Sequence, residues 1–474
     1  MIEYKTLPIS LVLPKHPVAL VVGGGAVALQ KIQWLRQFDM QVEVHSVSLC
    51  APLAALWNAG DVEWVETEYT FLEKSYALVI SATNDEEVNY RVFRDATERH
   101  IPVNVVDQPA WCTFFVPSVV KKGDVVAAVS TQGAAPALAG AVRRQLQSFL
   151  PDSLAAYAEL LKEARVQLRS FPRDRRMKVN RALVASYRFS QFDRTAIDKR
   201  VELFWAGFHA LVRDVENDSM VGHVYLVGAG PGDVGLLTVA GLRAIAGADA
   251  ILHDGLVNPA MLSNVDAREK ELFDTSKRAG CRLHRQEDIN ALMVQLALEG
   301  KIVCRLKGGD PCVFGRVTEE MRALREAQVP YEIISGVTSA VAALAYAGIP
   351  VTDRHCASFF QVVTGHEAPS KTESRINWAG IADSAGTVVF LMGAHRLSEI
   401  AQKLIQHGKP GHCPVALISR GTLPEQTVYE TTVAEAANCE SSAYSEFPRP
   451  VLIVVGDVVS LRRELQWFPE APGL

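Results

Sequence analysis

The stretch Tyr225-Leu-Val-Gly-Ala-Gly-Pro-Gly-Asp-Val-Gly-Leu-Leu-Thr238 constrains the fold more than any other part of the chain. The run from His223 to Val227, apolar with one polar member, predicts a buried strand. Three glycines and a proline interrupt it, and a helical pattern begins at Leu236. A dinucleotide fingerprint would carry glycine at the sixth position and offer free N–H groups to a pyrophosphate. Here the sixth position is Asp233, and Pro231 removes a donor. A carboxylate repels phosphate, so the loop suits a phosphate-free ligand with an adenosine or a cationic centre. A second loop of this kind, Arg305-Leu-Lys-Gly-Gly-Asp-Pro311, lies downstream.

A different glycine loop opens the chain. Val18–Val22 predicts a strand, Gly23-Gly-Gly-Ala-Val-Ala28 a tight turn, and Leu29, Ile32 and Leu35 one face of a helix. Gly23, Gly25 and Ala28 fit G-x-G-x-x-G/A between a strand and a helix, which points to a dinucleotide site. The next strand, Val42–Ser46, ends without the acidic residue that usually binds ribose. His45, Ser46 and Ser48 are alternatives for that contact, or ordinary loop residues. Strands at Tyr76–Ser81 and Pro102–Val106 follow, with a helix from Glu86. Strands alternating with helices at this spacing predict a parallel sheet with helices on both faces. Asp107 follows the last of these strands, where such sheets handle ligands; a turn or cap role is the equal alternative. Thr113–Ser118 and Val125–Val129 read as a hairpin-like pair turning at Lys121–Asp124.

From Pro151 to about Val215 the spacing is helical, with a basic stretch from Arg165 to Arg181 that reads as a solvated face first and as a rim attracting a polyanionic small molecule second. Asp214–Ser219 is a polar linker. The second half is again α/β, with strands expected at Ala248–Leu252, Lys301–Leu306 and Tyr331–Ile334. After Pro350 it becomes strand-rich, at Phe359–Thr364, Thr387–Met392, Pro414–Ser419 and Val451–Val455. Two subdomains with a cleft between them are expected. The division is therefore 1–150, 151–215 and 220–474. A chain of 474 residues exceeds what one core supports. Its net charge of −5 argues against broad nucleic-acid binding. No apolar run approaches a membrane span. The 8 cysteines are scattered without Cys-x-x-Cys spacing, which predicts neither a disulfide framework nor a zinc site and points to the cytoplasm.

Val227–Asp233, Arg305–Pro311, Phe314-Gly-Arg316, Ala345–Pro350, Val363-Thr-Gly-His366 and Leu391-Met-Gly393, taken in order, resemble the uroporphyrinogen III C-methyltransferases of the tetrapyrrole methylase fold. Val22–Gly25 with Ala28, Ala82–Asp85 with Val88-Asn89, and Asn104–Asp107 resemble precorrin-2 dehydrogenase/sirohydrochlorin ferrochelatase. Joined by a helical segment in this order, the two resemble the multifunctional siroheme synthases over nearly the whole chain.

The resemblance implies a Rossmann-like NAD-binding domain, a helical dimerisation segment and a methylase domain of two α/β subdomains, forming a homodimer. It implies methylation of uroporphyrinogen III to precorrin-2 by S-adenosylmethionine, NAD-dependent oxidation to sirohydrochlorin, and insertion of Fe²⁺ as substrate, with no fixed metal ligand. By motif match, Gly23, Gly25, Ala26, Val27, Val47 and Ser48 would contact NAD. Pro231, Gly308, Gly309, Asp310, Val313, Thr338, Ser339, Met392 and Gly421 would line the S-adenosylmethionine pocket. Asp254 and Lys277 would face the tetrapyrrole, and Asp107 would be the acid/base of the N-terminal site. Lys277, Arg278, Arg282, Arg285, Arg305, Arg316 and Arg354 are candidates for the substrate's carboxylates. The chain departs from the family pattern at Gly255, Val317-Thr318, Asp353, Trp111-Cys112, Gln132 and Gly140. A methyltransferase whose N-terminal half only dimerises and binds NAD is the runner-up. A regulatory sensor that binds NAD and tetrapyrrole without turnover is a third reading.

Overall fold

The computed structural model describes residues 6–72, 74–132, 134–189, 195–217, 219–263, 270–276, 285–365, 376–439 and 447–469. The chain divides into two compact units, Met1–Ala164 and Arg165–Leu474. The division falls in the last turn of a helix.

The first unit holds β1 (Val18–Val22), α1 (Ala26–Arg36), β2 (Gln41–His45), α2 (Ala51–Asn58), β3 (Glu63–Val65), β4 (Leu78–Ser81), α3 (Glu86–Glu98) and β5 (Val103–Val105). The strands form one sheet in the order β3-β2-β1-β4-β5, and every pairing is parallel. Ala19, Val21, Val42 and Val44 pack on one face with Ile32 and Leu35 of α1. Leu20, Val22, Val79 and Val103 pack on the other with Val92 and Ala96 of α3. Both faces are buried, as the alternating pattern predicts. All parallel strands end at one edge, so the β1–α1 loop and Asp107 share that edge.

The hairpin differs from its sequence reading. It is β6 (Ser118–Lys122) paired with β7 (Val125–Val129), turning at Gly123-Asp124. Residues Thr113 to Pro117 lie outside it. Thr113 Oγ1 accepts the Val103 amide at 2.8 Å, Asn104 Nδ2 donates to the Phe114 carbonyl, and Phe114 and Val116 pack on the first core. Their apolar side chains serve the main sheet. Helices α4 (Pro136–Phe149) and α5 (Ser153–Gln167) follow.

The second unit opens with α6 (Arg173–Phe189) and α7 (Ile197–Glu216). Arg165, Arg169, Arg173, Arg175, Lys178 and Arg181 of the basic stretch are exposed, and Arg181 hydrogen-bonds to Asp249. Next come β8 (His223–Gly228), α8 (Val239–Gly247), β9 (Ala250–His253), β10 (Glu271–Asp274), α9 (Gln286–Leu298), β11 (Ile302–Lys307), α10 (Val317–Glu326), β12 (Tyr331–Ile334) and α11 (Ser339–Tyr346). Their sheet, β10-β9-β11-β8-β12, is parallel throughout. The last subdomain holds β13 (Phe360–Thr364), α12 (Trp378–Asp383), β14 (Thr387–Leu391), α13 (Leu397–Gln406), β15 (Pro414–Ser419), β16 (Thr427–Thr432), α14 (Val433–Asn438), β17 (Val451–Val455) and α15 (Arg462–Leu465). Its sheet is mixed, in the order β13-β14-β17-β15-β16. The helix after the opening glycine loop starts at Val239 and not at Leu236, because the Thr238 hydroxyl caps it by accepting the Gly241 amide. Short strands β3, β10 and β16 escape the sequence reading, since each has few fully buried residues to mark it. Among the described residues no helix is long and apolar enough to cross a membrane, and the seven described cysteines are free.

His223, the one polar member of the β8 run, is mostly buried. Its Nε2 finds no hydrogen-bond partner among the described residues, and its ring lies 4.4 Å from that of Tyr225. Burial takes its pKa from 6.5 down to about 4. The folded value is the lower, so the unfolded chain binds the proton first as pH falls. Stability is unaffected above about pH 6.5 and declines through the window down to about 4, by up to ~3 kcal/mol. His223→Phe should remove that part of the acid destabilisation. Denaturant melts of both proteins at pH 7 and pH 4.5 check it, and equal pH slopes would refute it.

Candidate active sites

At the first site, backbone meets backbone. Gly23 has φ +121°, and a Cβ there would lie 2.4 Å from the Ala82 carbonyl oxygen at the end of β4. Its amide donates to the His45 carbonyl at 2.9 Å, and the Cys50 amide donates to the Gly24 carbonyl at 2.8 Å. The loop is thus clamped between the ends of β2 and β4. Gly25, Ala26, Val27, Val47 and Ser48 lie exposed around it, and nothing stands within 4 Å of where a Gly25 Cβ would point. No side chain caps α1 and no acidic residue occupies its first turn, so its leading N–H groups remain available. This open cradle fits the pyrophosphate of NAD. The loop after β4 is held separately: Asn89 Oδ1 accepts both the Ser81 and Thr83 hydroxyls, at 2.7 and 3.1 Å.

His45 is not a ribose ligand. It is buried, and its Nε2 lies 2.9 Å from Glu43 Oε1, which also accepts the Tyr76 hydroxyl at 2.5 Å. Burial works to raise the Glu43 pKa, but hydrogen bonds from Lys74, Tyr76 and His45 hold it below the ordinary value. His45 therefore belongs to the sheet's interior.

Asp107 occupies the turn after β5 with φ +59°, a conformation Asp tolerates. It is exposed, and it does not cap the short helical turn that follows. The field of Asp107 reaches Lys31 of α1, whose pKa burial lowers while Cys112 and Asp107 oppose the shift. Lys31 escaped the sequence reading, and Cys112 entered it only as a departure from the family pattern. The available signal was a lysine in the i+3 place of the buried stripe Ala28, Ile32, Leu35. The Cys112 thiol donates to the Val105 carbonyl at 3.2 Å, and burial raises its pKa.

In the second unit three strand-end loops converge. The Gly230 amide donates to the Gly309 carbonyl at 3.1 Å, and the Gly309 amide to the Gly230 carbonyl at 2.8 Å. A Cβ on Gly336, after β12, would lie 2.3 Å from the Gly309 oxygen. Asp310 fastens the join: its Oδ2 accepts the Gly336 amide at 3.0 Å and its Oδ1 the Cys312 amide at 2.8 Å. Pro231, Gly308, Gly309, Asp310 and Val313 thus share one rim with Thr338 and Ser339, where Thr338 caps α11 through the Ala340 amide. A Gly421 Cβ would meet that of Ala343 on α11 at 2.5 Å. Met392, exposed with φ +60°, follows β14 directly after Leu391, which packs on the core that holds Ala340. Asp233 ties the opening loop across: its amide donates to Thr422 Oγ1 at 3.1 Å and its Oδ2 accepts the Tyr346 hydroxyl at 2.8 Å. Asp254 directly follows β9 and accepts the amides of Leu256 and Gly308, both at 3.0 Å. Lys277 lies outside the described residues.

Residues 223–437 match the family of Tetrapyrrole (Corrin/Porphyrin) Methylases, and residues 14–118 match an NAD(P)-binding family. Siroheme synthase 1 of Pectobacterium atrosepticum is 39% identical, covering 98% of this chain and 95% of its own length. Siroheme synthase of Neisseria meningitidis serogroup B is 42% identical, covering 98% and 94%. The chain belongs to the siroheme synthase family. Among solved structures, the uroporphyrin-III C-methyltransferase of Thermus thermophilus complexed with S-adenosylhomocysteine is 34% identical. It covers 51% of this chain and 100% of its own, with a TM-score of 0.43.

As a family member the chain is an enzyme that uses S-adenosylmethionine in one half and NAD in the other. The glycine rim fits a phosphate-free cofactor: nothing stands within 4 Å of a Gly309 Cβ, and both flanking carboxylates, Asp233 and Asp310, are already bonded within the protein. Arg305 is no substrate ligand. Its side chain is 5% exposed and its Nε donates to Glu320 at 3.0 Å. Arg316 pairs with Glu319 at 2.8 and 2.7 Å but remains half exposed, and Arg285 and Arg354 are exposed. Arg278 and Arg282 lie outside the described residues.

Gly336→Ala should force the Gly309 carbonyl and the β8 end apart, since backbone atoms stand on both sides of the added methyl. The expected result is loss of S-adenosylmethionine affinity with NAD affinity unchanged. Calorimetric titration with each cofactor checks it; unaltered S-adenosylmethionine binding would remove the three-loop join from the site.

Proposed function

We propose that the chain converts uroporphyrinogen III to siroheme through two methylations, one NAD-dependent oxidation and one Fe²⁺ insertion. The assignment of NAD to Gly23, Gly25, Ala26, Val27, Val47 and Ser48 is supported by the exposed rim that the last five form at an uncapped helix start and by the close backbone approach at buried Gly23 that fixes the loop. The S-adenosylmethionine assignment rests on the convergence of Pro231, Gly308–Asp310, Val313, Thr338, Ser339 and Gly421, with Met392 directly after β14.

S-adenosylmethionine supplies an electrophilic methyl group on sulfonium, and the carbon that accepts it must lose a proton. Asp254 takes that proton in our reading, using the lone pairs left after two amide bonds, while Lys277 holds or relays one. In the N-terminal half, NAD held at the Gly23–Ala28 loop would supply the hydride acceptor, and a proton must leave the macrocycle. Two pyrrole N–H protons leave when iron enters. Asp107 serves both steps. The observation that supports this choice is its lack of other employment. Asp85 caps α3, and Asp233 and Asp310 bind loops together, whereas Asp107 is exposed at the sheet's ligand edge and caps nothing.

The three-part division 1–150, 151–215 and 220–474 is also a proposal, as is a homodimer formed through the N-terminal and helical segments. Val166, Met177, Ile197 and Val201 are exposed apolar residues on α5, α6 and α7, consistent with a covered face. We place the enzyme in the cytoplasm, acting on tetrapyrroles and not on nucleic acid.

Asp107→Ala should stop NADH formation and siroheme formation together, each by ~10²–10⁴-fold. Methyl transfer should persist, so precorrin-2 should accumulate from uroporphyrinogen III. NAD affinity should be nearly unchanged. Absorption spectra of the pure protein incubated with uroporphyrinogen III, S-adenosylmethionine, NAD and Fe²⁺ show where products stop. Full turnover with a lowered melting temperature would leave Asp107 a turn former. Wild-type protein that stops at precorrin-2 would favour the reading in which the N-terminal half only dimerises and binds NAD.

A further inference from the structure

Beneath the Asp254 end of the parallel sheet lies a charge cluster that the assignments above do not use. Arg305 and Lys307 alternate on β11 and so project to one face. Their side chains are 5% and 4% exposed, and Glu320 of α10, which they share, is fully buried. Lys307 Nζ donates to both Glu320 oxygens, at 2.8 and 2.9 Å; Arg305 Nε donates to Oε1 at 3.0 Å, and Gln286 Nε2 to the same oxygen at 3.2 Å. Arg305 also donates to the Leu252 carbonyl at 3.3 Å and to Thr275 Oγ1 at 3.2 Å, reaching the ends of β9 and β10.

Two buried cations against one buried carboxylate leave a positive charge unmatched, which is costly in a low-dielectric interior. The matching charge lies one step along the sheet. Leu306 pairs with His253, so the next pair sets Asp254 beside Lys307. The Asp254 carboxylate accepts the amide of Gly308, the residue after Lys307. Burial and Arg305 lower the Lys307 pKa, and Glu320 and Asp254 oppose them. Arg305, Lys307, Glu320 and Asp254 together sum to zero. Among the described residues no ion pair within 4 Å joins Lys307 to Asp254, because Glu320 holds the ammonium back.

We infer that Lys307, held by Glu320, is a positioning residue for Asp254. Its charge sits beside the neighbouring carboxylate and helps hold it in the orientation set by the Gly308 amide, while the grip of Glu320 leaves the outer lone pairs of Asp254 open to the substrate. The inference rests on Asp254 being the proton acceptor of methyl transfer.

The test uses the full-length enzyme with uroporphyrinogen III and S-adenosylmethionine, following S-adenosylhomocysteine release. Lys307→Met should lower kcat by about 10²-fold, the lower end of what a misplaced acid–base group costs. The S-adenosylmethionine dissociation constant should move by less than about threefold, since the cofactor rim is untouched. Lys307→Met combined with Glu320→Gln leaves Arg305 against Asp254 and restores neutrality. It should recover the melting temperature without recovering kcat. A purely structural cluster behaves otherwise, with kcat returning in step with melting temperature in the double variant, and that result overturns the inference. So does a single variant within about twofold of wild-type kcat. Should Lys307→Met not fold, the neutral double variant carries the test alone: folded and inactive supports the inference, folded and active overturns it. Asp254→Asn is the reference. If it methylates normally, the acceptor assignment fails, independently of Lys307.

Discussion

The reciprocal hydrogen bonds between Gly230 and Gly309 are the contact on which the methylase half depends. Parallel pairing of β8 and β11 brings both strands to the same edge, and their loops then meet main chain to main chain. Side chains would hold them apart. With Gly336 inserted from β12 and fastened by Asp310, three loops become one rigid rim. The N-terminal unit uses the same device on a smaller scale, with Gly23 against Ala82. In each unit a close backbone approach at the carboxyl ends of parallel strands leaves an open surface where a flat or extended cofactor can lie.

Carboxylates divide by employment. A carboxylate that accepts backbone amides gains charge-assisted bonds worth ~1.5–3 kcal/mol each and becomes part of the frame. Asp85, Asp233 and Asp310 are of this kind, and Asp233 links the opening loop to Thr422 and Tyr346 of distant segments. Asp254 stands between classes: it is tied to two amides yet placed at the rim. Asp107 is exposed in a left-handed turn immediately after β5. These differences separate framework from chemistry more sharply than residue type does.

Buried charge follows the same logic inside the sheets. Glu43 gathers His45, Tyr76 and Lys74 at one sheet, and Glu320 gathers Arg305, Lys307 and Gln286 at another. Each acidic side chain is satisfied several times over, the condition under which a buried ion is tolerable. Both clusters sit one layer below a glycine loop, so polar interactions set the geometry of strand ends that apolar packing alone would leave loose.

The sequence by itself determined the layered α/β architecture, because short apolar runs ending in glycine turns and alternating with helical patterns are buried as sheet strands under helices. The two kinds of glycine loop were legible for the same reason: Asp233 and Pro231 cannot serve a phosphate, whereas Gly23–Ala28 can. Tertiary structure decided what each polar residue does. His45 and Arg305 had the composition of ligands, yet strand alternation turned both inward onto carboxylates far away or two residues off. Thr113–Val116 had the pattern of a hairpin strand, yet the main sheet claimed it. Lys31 reached the field of Asp107 only through the packing of α1 on the sheet. Periodicity records which face is buried; which partner waits there depends on contacts between segments up to 189 positions apart, as between Asp233 and Thr422, and no local pattern carries that information.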